Sequence, residues 1–316
     1  MRIVIAGGAG MIGSALARRL AGAGHELILL SRSPERHQGE FSQPKIRLVQ
    51  WDGKTVGEWA QHIEGADAVV NVAGASISGG RFPPKRWTPR QKELILHSRV
   101  DASRALVEAI KQAANRPKTF LQQGAVGIYG SQPDDRIITE DSPISDSKTE
   151  LTAYVQVETE AAVKELEGMG LRVIYTRTGI VFSNEGEAFT FLVIPFKYFI
   201  IAGGPLGSGS QWYSWIHVDD LTRAMQFLLE HANARGPINT VSPEPARQKT
   251  VAKAIGKAMG RPSFMPLPGF VLRLALGEVA AVVLDGQRVV PKRLQELGFE
   301  FKHPDVFEAA RDLLSR

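Results

Sequence analysis

Residues 3–13 read Ile3-Val4-Ile5-Ala6-Gly7-Gly8-Ala9-Gly10-Met11-Ile12-Gly13. A short apolar run enters closely spaced glycines and continues as an amphipathic pattern to about Ala23, which predicts a strand, a turn and a helix. Gly8, Gly10 and Gly13 satisfy the spacing G-x-G-x-x-G, and Gly7, Gly10 and Gly13 satisfy the wider G-x-x-G-x-x-G. A second apolar strand, Glu26 to Leu30, completes the unit. This context predicts a phosphate-binding turn, and the alternative is a structural turn without a ligand.

The glycines of this turn have separate physical roles. The first allows a sharp turn with positive φ, the second leaves room for a phosphate, and the third lets the helix pack closely on its strand. The helix directs its free N–H groups and the positive end of its dipole at the phosphates. We therefore expect cofactor contacts from Gly7, Gly10, Met11, Ile12 and Gly13.

The residues after the second strand discriminate between two dinucleotides. Strands of this kind usually end in an acidic residue that binds the ribose 2′-hydroxyl of NAD, but here Ser31, Arg32 and Ser33 follow. A carboxylate would repel a 2′-phosphate, whereas a guanidinium and hydroxyls would hold it, so Ser31 and Arg32 favour NADP. The alternative is that Arg32 is a solvated loop cation.

Two later strand ends are predicted to form walls of the same site. Asp52 follows the strand Ile46 to Gln50, where it either accepts a hydrogen bond from the adenine amine or caps a helix near residues 55–63. The apolar run Ala66 to Val72 is typical of a central parallel strand. Small residues at its end let the backbone approach a ligand, so we expect cofactor contacts from Val72, Ala73 and Gly74.

A loop with paired glycines, paired prolines and the cations Arg81, Lys85 and Arg86 spans residues 76–89 and is a candidate cover for the site. A long helix is predicted from about Arg90 to Ala114, with Leu94, Val100, Leu106, Val107 and Ile110 on its buried side. Arg99 interrupts that pattern near the level of the strand ends. It is either an anion contact or a plain surface arginine.

Strands at Thr119 to Gln123 and Leu171 to Thr176, with a helix at about 148–169 between them, continue the alternation. The pattern predicts an α/β fold, a doubly wound parallel sheet of Rossmann type with a smaller, mostly helical C-terminal region. We expect a cofactor domain at 1–185, a substrate loop with returning elements at 186–246, and a helical domain at 247–316.

The segment at 203–220 carries three further expectations. The glycine-rich run Gly203 to Gly209 is interpreted as a mobile substrate loop, and the aromatic residues at 212–215 as pocket wall or core. Asp219 or Asp220 is expected to cap the next helix.

Composition narrows the class of protein. The 316 residues are 43% hydrophobic and 22% charged, with no cysteine and a net charge of +5. Lack of cysteine excludes disulfides and thiolate sites and is typical of a reducing compartment, and no zinc-type cluster can be drawn, so we predict no metal. The basic residues are spread along the chain and no apolar run is long enough for a bilayer. We therefore expect a cytoplasmic protein that binds neither nucleic acid nor membrane.

Five segments resemble the extended short-chain dehydrogenase/reductase superfamily of nucleotide-sugar epimerases, namely Gly7 to Gly13, Asn71 to Gly74, Ala125 to Gly130, Arg177 to Val181, and Trp215-Ile216-His217-Val218-Asp219-Asp220-Leu221. The glycine-rich run before that segment and Gly286 to Arg293 look more narrowly like an atypical, epimerase-like subfamily with a small C-terminal domain of unknown function. The resemblance implies a nicotinamide cofactor across the strand ends. It also implies that the cofactor passes Ser31, Arg32, Val72, Ala73, Arg99 and Val181.

The catalytic pattern of that superfamily is altered here. A tyrosine, acidified by a lysine four residues later and aided by a serine, normally transfers the proton. The serine region reads Gly124-Ala125-Val126, and Glu158 stands four residues after Tyr154. A carboxylate would raise the phenol's pKa. Tyr154 is the candidate catalytic residue, with a helix-surface tyrosine as the alternative and Tyr129 as a second phenol.

These residues are compatible with two functions. The first is an NADP-dependent oxidoreductase or epimerase-like enzyme acting on a small polar, nucleotide-sugar-like substrate. The second is an NADP(H)-binding sensor or scaffold that has lost catalysis. The oligomeric state is not predicted.

Overall fold

The computed structural model describes residues 1–80, 84–198 and 203–315. The strands are β1 Arg2–Ala6, β2 Glu26–Ser31, β3 Ile46–Gln50, β4 Ala68–Asn71, β5 Thr119–Ala125, β6 Ile137–Ile138, β7 Arg172–Thr178, β8 Ile180–Phe182, β9 Trp212–Tyr213, β10 Trp215–His217, β11 Gly236–Thr240, β12 Ala246–Arg247 and β13 Arg288–Val289. The α-helices are α1 Met11–Gly22, α2 Pro89–Gln112, α3 Leu151–Ala161, α4 Glu165–Gly168, α5 Glu187–Tyr198, α6 Val218–Glu230, α7 Gln248–Ala258, α8 Gly269–Leu276, α9 Ala281–Leu284, α10 Lys292–Glu296 and α11 Val306–Leu314. Short 3₁₀ helices lie at Pro34–His37, Glu58–His62, Val126–Tyr129 and Gly277–Ala280.

The central sheet has seven parallel strands in the order β11-β7-β5-β4-β1-β2-β3. Strand order reverses between β1 and β4, and in open α/β sheets ligands bind outside the carboxyl ends of strands at such a point. The residues of β4 and nearly all of those of β1 are buried, as expected for strands covered on both faces. The predicted α/β fold class is confirmed.

Three hydrophobic clusters hold the layers together. One packs α1 and α6 on one face of the sheet, and a second packs α2 on the opposite face. The third joins α5 to α7, α8 and α11 and lies around Phe182 and Trp215. The C-terminal helices therefore have a core of their own, which is continuous with elements near the carboxyl end of the sheet.

Short strand pairs connect the C-terminal region to the rest of the chain. Parallel pairing joins β13 to β6, and antiparallel pairing joins β12 to β9. A third pair, β8 with β10, lies directly after β7. The C-terminal region is mostly helical as predicted, but β13 and α11 were not predicted. The division of the chain at residues 185 and 246 stays a prediction.

Several predicted boundaries were wrong in detail. The helix predicted at 148–169 is two helices, α3 and α4, and both Val163, in the turn between them, and Leu166, in α4, are buried. In α2, Leu94 was assigned to the buried face but is 47% exposed, and its neighbour Ile95 is buried instead. None of the helices in the described ranges is both long and apolar enough to cross a bilayer.

The cap of α6 also differs from the prediction. His217, and not Asp219 or Asp220, occupies the cap position, and its Nδ1 accepts a hydrogen bond from the Asp219 backbone N–H at 3.0 Å. Asp220 is fully buried, where its two oxygens accept the backbone N–H groups of Lys302 at 2.8 Å and His303 at 2.7 Å. A buried carboxylate needs such partners, so Asp220 attaches the segment before α11 to α6.

Candidate cofactor and substrate site

The turn between β1 and α1 is shaped by close backbone approaches. Gly7 has φ +77°, and a Cβ there would lie 2.8 Å from the backbone of Ala73. A Cβ on Gly13 would lie 2.3 Å from the Gly7 carbonyl oxygen. These two glycines are required by the protein's own packing, in agreement with the predicted turn.

Gly10 is different. A Cβ on it would meet only the Gly7 carbonyl oxygen, at 3.3 Å, and would otherwise extend into open space. Gly10 also begins α1 without a side-chain cap, and the first turn carries no acidic residue. The N–H groups at this helix end therefore lack a side-chain acceptor, which is the arrangement that binds phosphate. Met11, Ile12 and Gly13 form that first turn, and these residues fit the phosphates of a dinucleotide.

A cavity of about 580 Å³ lies outside the carboxyl ends of β1, β2 and β4. The structure brings eight predicted residues to its lining: Gly7, Gly10, Ser31, Arg32, Asp52, Val72, Ala73 and Gly74. Arg36, His37 and Lys54 also line it and were not predicted. Their signal was the polar stretch after β2, where Arg36 lies four residues beyond Arg32.

Three cations from the segments that follow β2 and β3 line this cavity. Arg32, Arg36 and Lys54 line it, and none of the three forms a salt bridge with a carboxylate in the described part of the chain. Guanidinium groups without a carboxylate partner are available to a phosphate. The electrostatics at this point thus suit a ribose that carries a 2′-phosphate.

Asp52 stabilises the turn that follows β3. Its Oδ1 accepts the backbone N–H groups of Lys54 and Thr55, both at 2.9 Å. Burial pushes the pKa of Asp52 up, but hydrogen bonds from Thr55 and Lys54 outweigh it and hold the pKa below its usual value. The helix that it was expected to cap is a 3₁₀ helix beginning at Glu58 with Gly57 as its cap, so that alternative was wrong. A contact between Asp52 and the adenine stays a prediction.

Polar side chains fix the turn after β4. Asn71 Oδ1 accepts the Ala73 backbone N–H at 3.1 Å, and its Nδ2 donates to Gln122 Oε1 at 3.0 Å. Ser98 Oγ, on α2, accepts the Ala75 backbone N–H at 2.9 Å. The residues predicted to pass the cofactor are therefore held from both sides, although the sequence did not reveal these bonds.

Arg99, on α2, stabilises the same turn through hydrogen bonds. Its Nη1 donates to the carbonyl oxygens of Ala75 at 3.1 Å and Ile95 at 2.9 Å. A Cβ on Gly74 would lie 2.9 Å from the Arg99 Cζ. Burial lowers the pKa of Arg99 to about 10, and no described carboxylate forms a salt bridge with it. Arg99 is not a plain surface arginine, and it does not line the cavity.

A larger cavity of about 710 Å³ lies outside the ends of β5 and β7. Met11, at the start of α1, and Val181, on β8, are the two predicted cofactor residues in its lining. Backbone and side chains at 125–127 and 178–181 form its floor. Because α1 begins between the two cavities, a dinucleotide whose phosphates lie at its N-terminus would place its second base here.

Tyr154 is not among the residues that line this cavity. The lining residues of α3 are Leu151, Thr152 and Gln156. Tyr154 is about 200° of helical rotation from Thr152 and Gln156 but only about 60° from Leu151, three residues before it. A catalytic role for Tyr154 stays a prediction.

The other tyrosines near the site have occupied hydroxyls. Tyr129 is buried, donates to Asn239 Oδ1 at 2.7 Å and accepts from Arg177 Nη1 at 3.0 Å. Tyr213 lines the cavity, but its hydroxyl donates to the Val283 carbonyl at 2.7 Å, and burial raises the pKa of Tyr213. Neither phenol is available to a substrate in this arrangement.

Glu150 is a functional candidate that the sequence patterns did not reveal. It lies at the cap position of α3 and lines the cavity, where its Oε2 accepts the Ser131 backbone N–H at 3.4 Å. The cavity's other carboxylates, Glu278 and Asp285, are paired with Lys92 at 2.6 Å and Arg273 at 3.7 Å. Glu150 has no salt-bridge partner among the residues described. A motif search could not find Glu150, because the residues beside it in the cavity are distant in sequence and meet only in the folded chain.

The loop predicted as a cover lies beside the cavity. Trp87 lines it and donates from Nε1 to the Ile77 carbonyl at 2.9 Å. Arg86 donates to the Leu274 carbonyl on α8. Ser76 donates to Glu187 at 2.5 Å on α5. Lys85 is exposed, and Arg81 lies outside the described residues.

The glycine-rich run at 203–209 does not line either cavity. A Cβ on Gly203 would lie 2.5 Å from the Phe196 ring, and one on Gly204 would lie 2.2 Å from the Met265 carbonyl oxygen. These glycines permit close packing against α5 and the segment before α8, and a role of 203–209 as a substrate loop stays a prediction. Of the aromatic residues that follow, Trp215 belongs to the core and Trp212 to the cavity wall.

One group of possible metal ligands exists in the described ranges, namely His217, His303 and Asp312, with ligand atoms within 4.8 Å of one another. The His217 ring stacks on that of His303 with centroids 4.0 Å apart and an angle of 29°. Imidazole lone pairs lie in the ring plane, so nearly parallel stacked rings do not direct them at one ion. With its Nδ1 capping α6, His217 is better explained as a structural residue.

Comparison with known families matches residues 3–241 to the NAD dependent epimerase/dehydratase family. The chain belongs to this family. A second match, over residues 267–313, is to a domain of unknown function (DUF1731). Both parts of the resemblance seen in the sequence are confirmed.

Relatives of this epimerase-family chain match over its whole length. Epimerase family protein SH2119 of Staphylococcus haemolyticus is 36% identical over 315 residues, which is 99% of each chain. Epimerase family protein YfhF of Bacillus subtilis is 35% identical over 317 residues, or 100% of this chain and 98% of the relative. The crystal structure of human epimerase family protein SDR39U1 (isoform2) with NADPH is 32% identical, has a TM-score of 0.86, and matches 100% of this chain and 99% of that one.

Proposed function

We propose that this epimerase-family protein binds NADP(H) across the two cavities. The single observation that carries this is that Arg32, Arg36 and Lys54 line the first cavity without a salt-bridge partner among the residues described. The phosphates would bind the uncapped N-terminus of α1. The structure of the human relative is one with NADPH, at 32% identity over the whole chain, which supports the same cofactor here.

We further propose that the protein catalyses hydride transfer on a small molecule in the larger cavity. A bound nicotinamide would supply the hydride donor or acceptor. Met11 and Val181 would position its ring, and Trp87 would help to exclude water. In the oxidation of an alcohol, the Glu150 carboxylate would accept the hydroxyl proton. In the reduction of a carbonyl, its acid form would return that proton to the oxygen.

Cofactor titration with NADPH and with NADH, followed by assay against a library of carbonyl compounds, tests the proposal. Binding of NADPH in preference to NADH, with its oxidation by at least one carbonyl, is the expected result. Equal affinity for the two nucleotides would overturn the NADP assignment.

A second candidate function is an NADP(H)-binding sensor without catalysis. The observation that favours it is that the positions that usually transfer the proton offer no available hydroxyl to the cavity. Ala125 offers no hydroxyl, Tyr154 does not line the cavity, and the Tyr213 hydroxyl is bonded to a carbonyl. Under this function NADPH would stabilise the fold by mass action and would not be oxidised by any member of the library.

A further inference from the structure

A third cavity, of about 500 Å³, opens beside the larger one and is mostly apolar. Phe191 and Leu192 of α5 form one wall, and Leu276, Val279 and Val283 of the C-terminal region form the other. We call this cavity the apolar groove. The side chains of Leu192, Leu276 and Val279 are buried, so these parts of the lining pack against the rest of the protein.

The apolar groove is continuous with the cavity that would hold the nicotinamide. Six residues line both spaces: Ile77, Ile180, Gly186, Ala188, Tyr213 and Val282. A molecule whose reacting carbon lies near Met11 and Val181 can therefore extend into the groove. Apolar surface that enters such a groove leaves water, which favours binding in proportion to the area buried.

The charges around these two spaces do not suit an anionic substrate. Five described carboxylates line them, Glu150, Glu185, Glu187, Glu278 and Asp285, against the single guanidinium of Arg273. Arg273 is itself 3.7 Å from Asp285. The lining thus offers no unpaired cation, in the described residues, to the diphosphate of a nucleotide sugar.

From this continuity and this charge balance, we propose that the apolar groove binds the hydrocarbon part of an uncharged substrate. The substrate class is a carbonyl compound or alcohol with an aliphatic chain or ring, whose polar carbon lies beside the nicotinamide position. This deepens the proposed hydride-transfer function and rests on it. It also replaces the small polar, sugar-like substrate that the sequence predicted.

Binding of a homologous series of ketones tests this directly. Butan-2-one, hexan-2-one, octan-2-one and decan-2-one would be titrated calorimetrically into the full-length protein saturated with NADP⁺, a complex in which a ketone cannot be reduced. UDP-glucose would be titrated in parallel. We expect the dissociation constant to fall about fourfold for each methylene buried in the groove, and UDP-glucose to bind more weakly than decan-2-one.

A matched pair of valines controls for the site. Val283 lines the groove but not the larger cavity and is half-buried, whereas Val271, on α8, is 37% exposed and lines neither space. Val283→Asp should weaken decan-2-one about tenfold or more, since the new charge would be buried against the hydrocarbon of the ligand, and should leave butan-2-one within about twofold. Val271→Asp should leave both unchanged. Thermal unfolding of both variants checks that they are folded.

Dissociation constants that do not depend on chain length in the wild-type protein would overturn the inference, as would tighter binding of UDP-glucose. Failure of the proposed function has a different signature. If NADP⁺ does not bind, or if NADPH is not oxidised by the ketones, hydride transfer fails. The ketone series still tests whether the groove binds hydrocarbon. If NADP⁺ does not bind, the series is titrated into the cofactor-free protein.

Discussion

Ser76 Oγ donates a hydrogen bond to Glu187 Oε2 over 2.5 Å, which joins the loop after β4 to the first turn of α5. Ser78 donates to the same oxygen. Glu187 thereby holds together two segments that lie 111 residues apart and border both the larger cavity and the apolar groove. Glu187 thus anchors the first part of the loop that the sequence predicts as a cover of the site.

Glu187→Ala should loosen this loop locally. Loss of two hydrogen bonds to a charged acceptor lowers the free energy of local opening by about 2 kcal/mol, so trypsin should cleave after Lys85 or Arg86 faster than in the wild type. Mass spectrometry of a timed digest measures this. Glu185→Ala is the control, because Glu185 pairs with Arg18 at 3.4 Å and not with the loop. Equal cleavage rates in the two variants would contradict the prediction.

The glycines of the first turn should respond differently to alanine. Gly13→Ala places a Cβ 2.3 Å from the Gly7 carbonyl oxygen and should cost about 2 kcal/mol of unfolding free energy. Gly10→Ala meets one atom at 3.3 Å and should cost less than about 1 kcal/mol, yet should weaken NADPH about tenfold or more by occupying the phosphate position. Denaturant unfolding and cofactor titration give the two quantities. An unchanged NADPH affinity in Gly10→Ala would show that the phosphates do not bind at this turn.

Arg32→Ala should discriminate between the cofactors. Removal of a charge-assisted bond to the 2′-phosphate should raise the Kd for NADPH about tenfold to a hundredfold, whereas the Kd for NADH should change little. Fluorescence titration with each nucleotide is the measurement. Arg36→Ala provides a second variant on the same cavity, and Arg18→Ala, which pairs with Glu185 outside it, is the control. Equal losses of affinity for NADPH and NADH in Arg32→Ala would show that Arg32 does not recognise the 2′-phosphate.

Two conservative substitutions compare the candidates for proton transfer. Glu150→Gln should lower kcat about a hundredfold, with KM little changed, because Glu150 lines the cavity without a salt-bridge partner among the residues described. Tyr154→Phe should stay within about twofold of the wild type, since Tyr154 is not among the residues that line the cavity. Steady-state kinetics with an accepted carbonyl compound decides between them. The opposite pattern would return the catalytic role to Tyr154.

Acid should destabilise the fold through His217. Burial, followed by the charge of His303, lowers the pKa of His217 to about 4 from 6.5. Because the folded pKa is depressed, the unfolded chain takes up this proton first as pH falls below 6.5. The associated stability, about 3 kcal/mol at most, is fully present above pH 6.5 and is lost as pH falls toward 4.

Denaturant unfolding at a series of pH values measures that loss. His217→Asn should flatten the curve between pH 6.5 and 4, since asparagine can cap a helix and does not titrate. His97, whose side chain is 59% exposed, gives the control variant His97→Asn with an unchanged slope. A His217→Asn curve as steep as that of the wild type would assign the acid sensitivity to other groups.

The sequence predicted the sheet and the first cavity well, because both depend on local patterns. Apolar runs that end in small or polar residues mark parallel strands, and the ends of such strands meet at one edge. Glycine spacing placed the turn, and Ser31 and Arg32 follow β2 directly. Arg36 was not predicted because the polar stretch after β2 shows no periodic pattern that would indicate which residues face the cavity.

The larger cavity could not be predicted in the same way. Its lining joins residues from β5, α3, β8 and the C-terminal helices, and contacts such as Glu150 with Ser131 exist only in the folded chain. Tyr154 satisfied the expected residue type, but the lining residues of α3 are Leu151, Thr152 and Gln156, and residue type alone does not determine which side chains of a helix reach a cavity. The glycines at 203 and 204 suggested mobility, whereas they permit close packing against Phe196 and Met265.

Asp220 has a consequence for biosynthesis. Its carboxylate is fully buried and depends on the backbone N–H groups of Lys302 and His303. Until those two residues have left the ribosome, the partner that remains for Asp220 among the described residues is Arg223, at 2.7 Å, and the carboxylate stays in contact with water, because burial without its other partners is unfavourable. We therefore expect the sheet to assemble earlier and α6 to reach its native packing only after residue 303 has left the ribosome.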